Sequence, residues 1–168
     1  MELATAGLFQ ARWTDKIHDE WIDNLLDKRK DLSRPQLERT RALMDSAVLD
    51  CKVSDYEYLI PTITLPDSDD RHVVAAAIHA KADAIVTFNI KDFPATELQK
   101  YNLEAIHPDD FIQYQFHLDG GAKVLIAAQR CRSRLRNPPK SPEDYIETLR
   151  TQSLPKTADE LTPFAAII

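Results

Sequence analysis

A stretch in the middle of the chain, residues 66–88, restricts the fold more than any other part of the sequence. It begins with Pro66 and six polar residues, continues as the almost entirely apolar VVAAAIHA (73–80) and, after three further residues, ends in AIVTF at residues 84–88. A helix that is apolar nearly all round is buried, and its alanines allow close packing against a sheet. The run that follows is typical of a strand buried on both faces. The segment therefore predicts a helix and then a strand inside an α/β domain.

Helix and strand signals also alternate on either side of this segment. Upstream, QARW (10–13) predicts a short strand, and Thr14 is placed to cap a helix over about residues 15–29. Ser33, with a proline and a glutamine close behind it, is typical of a capping-box start, whereas residues 48–65 are ambiguous between a short strand and a loop.

Downstream, the sequence predicts a short helix from about Ala95, a strand at 103–106 and a helix from Pro108. Alternating helices and strands indicate a parallel sheet covered by helices. From Ala122 onward the pattern is only helical, with a break at 137–139. The predicted fold class is therefore α/β with a helical C-terminal part.

Composition excludes several functional classes. The 168 residues, 43% hydrophobic and 29% charged, suit one domain with a short appendage. The three glycines, Gly7, Gly120 and Gly121, do not have the spacings of a dinucleotide fingerprint, a phosphate loop or a serine-hydrolase elbow. Two cysteines without CxxC spacing argue against a disulfide framework and a cysteine zinc site. No apolar run approaches a membrane span, so we expect a cytoplasmic protein in a reducing compartment.

Carboxylates are the remaining candidates for chemistry. In an open parallel sheet, ligands bind beyond the carboxyl ends of the strands. Thr87, Asn89 and Asp92 follow a predicted strand, Asp70 lies in the first turn of the preceding helix, and Glu20 lies beside the apolar stripe of its helix. These acids can converge on one edge of the sheet, where Mg²⁺ or Mn²⁺ would find the oxygen ligands that hard ions prefer.

Each of these residues also has a plainer explanation. Acids such as Asp69 and Asp70 are favoured at a helix start by the unpaired N–H groups and the helix dipole. Asn89 and Asp92 are typical of turns, and Glu20 is also interpretable as a surface glutamate. We interpret Asp109 and Asp110 as an acidic helix start, and His72 and His79 as packing or surface residues rather than zinc ligands.

A basic strip, defined as residues 130–140 (RCRSRLRNPPK), contrasts with the formal net charge of −6. It holds no acid and carries a lysine and four arginines: Arg130, Arg132, Arg134 and Arg136. Such a strip suits a polyanion, and a solvated helix face is the competing interpretation.

The stretch LPDSDDRHVVAAAIHAKADAIVTFNIKDFP (65–94) resembles the PIN-domain ribonucleases, in particular the VapC-type toxins of bacterial toxin–antitoxin pairs. The likeness consists of Asp70, two spacers and an apolar-alanine helix, followed by a strand that leads into Asn89 and Asp92. Upstream, WTDKIHDEW (13–21) looks like the helix that carries the family's glutamate, which puts that role on Glu20. We expect a PIN-like domain over residues 1–117 and a helical C-terminal extension over 118–168.

The resemblance implies a three-layer α/β/α fold and a ribonuclease that depends on Mg²⁺ or Mn²⁺. By this resemblance Glu20, Asp70 and Asp92 hold metal, Thr87 and Asn89 orient water or the scissile phosphate, and Asn89 joins the three acids as a catalytic residue. The arginines of the basic strip would follow the RNA backbone. The implied partners are an RNA substrate and a cognate antitoxin protein that inhibits the toxin.

One departure from the family leaves two hypotheses open. The family begins with a central strand ending in a metal-binding aspartate, and no such segment precedes Met1. We therefore expect an N-terminally truncated domain that forms a homodimer, because a missing central strand leaves unpaired edges. The first hypothesis is a metal-dependent endoribonuclease toxin, and the second is a catalytically inactive PIN-like protein that sequesters antitoxin or RNA. Asp67 and Asp69 both remain candidates to share the role of Asp70.

Overall fold

The computed structural model describes residues 1–118 and 120–168, and the described chain is mainly helical. Its α-helices are α1 (Glu2–Thr5), α2 (Asp15–Lys28), α3 (Arg34–Ala47), α4 (Arg71–His79), α5 (Ala95–Leu98), α6 (Pro108–Leu118), α7 (Ala122–Ser133), α8 (Pro142–Thr151) and α9 (Pro155–Leu161). Shorter 3₁₀ segments are Glu57–Thr62, Ile90–Asp92, Gln99–Tyr101 and Thr162–Ile167, and the strands are β1 (Ala84–Val86) and β2 (Glu104–Ile106). Among the described residues, no helix is both long and apolar enough to cross a membrane.

The two strands form the predicted parallel sheet. The Glu104 N–H donates to the Asp83 carbonyl at 3.3 Å, and the Thr87 N–H donates to the Ile106 carbonyl at 3.0 Å. The first bond joins the starts of the two strands and the second joins their ends. The strands therefore run in the same direction, which is the parallel arrangement. The prediction that β1 is buried on both faces was wrong, because Val86 is 44% exposed. The predicted α/β class with a parallel sheet is confirmed.

The chain divides into two compact units. One comprises Gln10–Ile85 and Asn89–Ala105, and the other comprises Met1–Phe9, Val86–Phe88 and Ile106–Ile168. The predicted domain boundary between residues 117 and 118 stays a prediction.

The unit that contains α2, α3 and α4 has its own apolar core. Its buried members are Tyr56, Ile63, Val74, Ala75, Ala76, Ile85, Phe93, Leu98 and Leu103. Helix α4 supplies three of them, as expected for an alanine-rich helix that packs closely on its neighbours. The core therefore holds the start of α4 in a defined place.

Local signals in this unit predicted the helix ends well. The Thr14 hydroxyl accepts a hydrogen bond from the Ile17 N–H at 3.1 Å, so α2 begins where predicted. The Ser33 N–H donates to the Gln36 side chain at 2.9 Å at the start of α3. The strand predicted at QARW is reduced to a single parallel bridge between Trp13 and Lys52.

The other unit is held by a second core and by one buried acid. Its core lies among α6–α9 and contains Phe116, Val124, Ala128, Tyr145, Ile146, Ala158, Leu161 and Ile168. Asp109, at the start of α6, is 3% exposed and accepts hydrogen bonds from the N–H groups of Lys156 and Thr157, both at 2.8 Å. This carboxylate therefore caps α9 from a distant part of the chain, consistent with its interpretation as a structural acid.

The predicted break in the C-terminal helices is present between α7 and α8. Residues Asn137 to Lys140 contain no helix, and the Ser141 hydroxyl then accepts a hydrogen bond from the Asp144 N–H at 3.0 Å. Helix α7 is preceded by Gly121 at its N-cap position, whose φ of +82° lies in the left-handed region. A Cβ there would come within 2.4 Å of the Phe116 ring, so the position requires glycine.

Candidate functional site

Three carboxylates, from Asp67, Asp70 and Asp92, form what we call the acidic cluster. Each offers an oxygen, and these oxygens all lie within 4.8 Å of one another. Asp67 is exposed, whereas Asp70 and Asp92 are half-buried. They come from the loop before α4, from the residue preceding α4 and from the 3₁₀ turn after β1. The fold thus brings together acids that are up to 25 positions apart in the sequence.

Local hydrogen bonds hold two of these acids in place. Asp67 accepts a bond from the Asp69 N–H at 2.8 Å, which turns the loop so that Asp67 belongs to the cluster. Asp92 accepts a hydrogen bond from the Asn89 side-chain amide. Asp70 occupies the N-cap position of α4, yet its side chain makes no capping hydrogen bond. Its carboxylate is therefore not used by the helix that it precedes.

The electrostatics of the cluster suit a cation. Partial burial, together with the charges of Asp67, Asp92 and Asp69, raises the pKa of Asp70. A divalent ion stabilises the ionised form of a carboxylate that neighbouring carboxylates destabilise. Oxygen atoms are the ligands that Mg²⁺ and Mn²⁺ prefer. The donor set therefore fits a hard divalent cation.

Glu20, predicted as the third metal ligand, lies on α2 outside the three-oxygen contact. Its Oε1 is 2.8 Å from His72 Nε2 and 3.9 Å from Lys16 Nζ. Partial burial raises the pKa of Glu20, and the charge of Asp70 raises it further, although Lys16 lowers it. Glu20 is thus electrically coupled to the cluster without being one of its three closest members.

The structure distinguishes between residues that the sequence left equivalent. Asp67 joins Asp70 and Asp92, whereas Asp69 contributes only its charge and its N–H group. An aspartate whose side chain accepts a bond from the N–H two residues later is a recognised turn, and this was the available signal for Asp67. His72, interpreted as a packing or surface residue, is buried and contacts Glu20, a contact that the spacing did not indicate.

Thr87 and Asn89, the predicted orienting residues, follow β1 directly. Thr87 is half-buried and extends the strand pairing through its N–H group. Asn89 is exposed, and its amide contacts Asp92. Their roles toward water or phosphate stay predictions.

The arginines of the basic strip fall into two groups. Arg130 and Arg136 are exposed. Arg132 donates to the carbonyls of Ile168 and Lys140, both at 2.9 Å, and Arg134 pairs with Glu2. Intramolecular contacts thus occupy two of the four arginines, and substrate binding by the strip stays a prediction.

Comparisons with known proteins identify the family of the chain. Residues 1–91 match the family model described as the PIN domain, and residues 108–163 match the model described as the VapC50 C-terminal domain. Over 83 residues the chain is 37% identical to the protein named "Putative ribonuclease VapC50" from Mycobacterium tuberculosis strain H37Rv.

That alignment covers 49% of this chain and 48% of the relative, so the chain spans about half the length of the curated relative it matches. No solved structure matches the chain at a significant level. The resemblance to VapC-type PIN domains noted in the sequence is confirmed. The PIN model alone covers more than half of the 168 residues, and the chain therefore belongs to the PIN domain family.

Proposed function

We propose that the chain is an endoribonuclease that depends on Mg²⁺ or Mn²⁺ and acts as the toxin of a toxin–antitoxin pair. The observation that carries this proposal is the convergence of Asp67, Asp70 and Asp92 at a site where partial burial and like charges raise the pKa of Asp70. Family membership and the ribonuclease name of the M. tuberculosis relative support the choice of RNA as substrate.

In this proposal Asp70, Asp92 and Glu20 hold the cation, and Asp67 is a further carboxylate in reach of it. A bound divalent ion lowers the pKa of water and neutralises charge that builds up on a phosphate. Asn89 holds the Asp92 carboxylate by a hydrogen bond and, with Thr87, orients water or the scissile phosphate. We therefore expect that loss of the Asp70 charge weakens cation binding and leaves the fold intact.

Substrate binding falls to the basic strip in the same proposal. Arg130 and Arg136 are exposed and suited to phosphate contacts, which are independent of base sequence. Arg132 and Arg134 support the strip through their intramolecular bonds and add positive charge. The further partners that we propose are a cognate antitoxin and a second copy of the chain, with the cytoplasm as the compartment.

The test is RNA cleavage by the purified chain with Mg²⁺ or Mn²⁺, beside an EDTA control. We expect Asp70→Asn to lower the cleavage rate at least about 100-fold, because it removes a charge that the cation needs. The matched control is Asp69→Asn, which removes the neighbouring charge outside the cluster and should keep most activity. Absence of cleavage together with retained binding of RNA or antitoxin would favour a catalytically inactive binding protein instead.

A further inference from the structure

Arg71 is the first residue of α4 and directly follows Asp70 of the acidic cluster. Its side chain is half-buried, and its Nε–H donates to the Ser68 carbonyl at 2.9 Å. Among the described residues, no carboxylate lies within ion-pair distance of the guanidinium, although several aspartates are its neighbours in the sequence. The two terminal nitrogens of this arginine therefore have no partner in the described part of the chain.

The stability of α4 does not explain an arginine at this position. A helix start is the positive end of the helix dipole, where a cation is unfavourable and an acid is favoured. The further an arginine is removed from water, the more it depends on a pairing acid. Arg71 stands at the start of α4, and within the described chain its guanidinium bonds only to a neutral carbonyl. An anionic ligand would supply the partner that the fold does not.

One peptide group links this arginine to the acidic cluster. The carbonyl of the peptide between Ser68 and Asp69 accepts the bond from Arg71, and the N–H of the same peptide donates to Asp67 Oδ1 at 2.8 Å. Since a peptide group is planar and rigid, Arg71 Nε and Asp67 Oδ1 are at most roughly 8 Å apart. The guanidinium is thus held close to the cluster without pairing with its carboxylates.

The chemistry of the unpaired terminal nitrogens suits a phosphate. When its Nε is engaged, a guanidinium still carries two parallel N–H groups on its terminal nitrogens, and this fork matches phosphate oxygens. A phosphate that binds a cation through one oxygen keeps its second non-bridging oxygen for such a donor a few ångströms away. Acids for the cation and an arginine for the phosphate are therefore complementary parts of one site.

We propose that Arg71 is a substrate-binding residue, which holds a non-bridging oxygen of the RNA phosphate beside the cation through its terminal nitrogens. This inference rests on the proposed function, because it takes the acidic cluster as the cation site of a ribonuclease. It adds a phosphate contact that is separate from those of the basic strip. Arg71 does not bind the cation, so its substitution should affect cleavage and leave cation binding in place, whereas substitution of Asp70 should affect both.

The test compares RNA cleavage and Mn²⁺ binding in Arg71→Met and Arg71→Lys. Methionine keeps much of the apolar stem without the charge, whereas lysine keeps the charge without the fork. At saturating Mn²⁺ we expect kcat/KM to fall roughly 30-fold in Arg71→Met, as for loss of a hydrogen bond to a charged group, and to fall less in Arg71→Lys. Mn²⁺ affinity, measured by calorimetry without RNA, should stay within about twofold of the parent protein or increase, because a nearby positive charge is removed.

The matched control is Arg39→Met, which removes the same group from the exposed surface of α3 and should change neither quantity. Circular dichroism of each variant verifies the fold. Unchanged kcat/KM in Arg71→Met would overturn the proposal, and so would a loss of Mn²⁺ affinity as large as that of Asp70→Asn, because Arg71 would then only shape the loop of the acidic cluster. If the parent chain neither binds Mn²⁺ nor cleaves RNA, the proposed function fails and this inference fails with it, an outcome distinct from the first two.

A second measurement reports the phosphate contact through binding instead of cleavage. Fluorescence anisotropy of a labelled short single-stranded RNA, with Ca²⁺ in place of Mn²⁺, gives the dependence of the binding constant on salt. Each phosphate contact to a single strand contributes about 0.7 to the slope of log K against log salt concentration. We expect the magnitude of this slope to be smaller by about 0.7 in Arg71→Met than in the parent and unchanged in Arg39→Met. Equal slopes in Arg71→Met and the parent would overturn the proposal.

Discussion

Two segments of this chain place acids after a proline at the start of a helix, and their carboxylates have opposite environments. Asp109, behind Pro108, is buried and accepts bonds from two backbone N–H groups and from the Thr157 hydroxyl. Asp70, in the segment that follows Pro66, makes no capping hydrogen bond through its side chain, and its carboxylate lies beside those of Asp67 and Asp92. A carboxylate surrounded by donors stabilises the fold, whereas one surrounded by carboxylates is available to a ligand.

The pKa values of the two acids express this difference. Burial alone would raise both, and it does so for Asp70, where neighbouring aspartates add to it. For Asp109 the hydrogen bonds from Thr157 and Lys156 outweigh burial, and the pKa is lowered. Similar sequence signals therefore lead to a structural acid in one unit and to a candidate binding acid in the other.

The largest effect is expected at Asp109. Asp109→Ala should lower the free energy of unfolding by about 3 kcal/mol, because it leaves the buried Thr157 N–H group without an acceptor and also removes the acceptor of the Lys156 N–H group. Urea unfolding followed by circular dichroism measures this. Asp110→Ala is the control, since Asp110 is exposed and pairs with the exposed Lys156 side chain. Equal free energies of unfolding in the two variants would mean that Asp109 contributes no more to stability than the exposed Asp110.

Cation binding should stabilise the other unit. With Mn²⁺ at 100 times its dissociation constant, we expect the free energy of unfolding to rise by about 2.7 kcal/mol in the parent protein. Asp70→Asn should lose this gain, whereas Asp69→Asn should keep it, because only Asp70 belongs to the acidic cluster. A Mn²⁺-dependent rise of the same size in Asp70→Asn would show that the ion binds elsewhere.

Without metal, the same substitution should have the opposite sign. In EDTA, Asp70→Asn should raise the free energy of unfolding by on the order of 1 kcal/mol, because it relieves repulsion from Asp67 and Asp92. The matched control is Asp27→Asn, which removes a charge from the exposed surface of α2. If Asp70→Asn lowers the free energy of unfolding of the metal-free protein, repulsion among the three carboxylates does not destabilise the fold.

The smallest expected effect is the pH dependence of the free energy of unfolding, which should differ between the two acids. The folded pKa of Asp70 is raised, so its ionised form costs stability at neutral pH and this cost disappears as pH falls through the raised pKa toward 3.8. The folded pKa of Asp109 is lowered, so its contribution is present above 3.8 and is lost only as pH falls below that value.

Unfolding of each asparagine variant in EDTA from pH 7 to pH 3 checks these ranges. The difference in unfolding free energy between Asp70→Asn and the parent should shrink as the pH falls from 7 and should be small before the pH reaches 3.8. The difference for Asp109→Asn should persist to pH 3.8 and shrink below it. Coincident ranges would mean that the two carboxylates have the same environment, contrary to the structure.

Sequence reasoning succeeded where the deciding interaction is local. The start of α2 depends on Thr14 and an N–H three residues away, and α4 depends on its own apolar composition. Reasoning from the same patterns gave a strand buried on both faces, yet Val86 is 44% exposed because burial depends on what lies beside the strand. Neighbours distant in sequence are not encoded in a local pattern.

The site shows the same limit. Asp70 and Asp92 were predicted together, and their carboxylate oxygens lie within 4.8 Å of each other. The choice of Asp67 over Asp69 depends on how one loop turns, and the contact of Glu20 with His72 depends on how α2 packs against α4. Spacing gives the residue types at such a site, but side-chain contacts across elements require the fold.

The bonds from α9 to Asp109 have a consequence for the dynamics of the C-terminal unit. They join residues 47 and 48 positions apart, so forming them requires closure of a long loop. The amide hydrogens of Lys156 and Thr157 lie in the first turn of a short helix, where exchange with solvent is ordinarily fast. Held by Asp109, they exchange when α6 and α9 separate, so their exchange rates report this separation rather than fraying of one helix end.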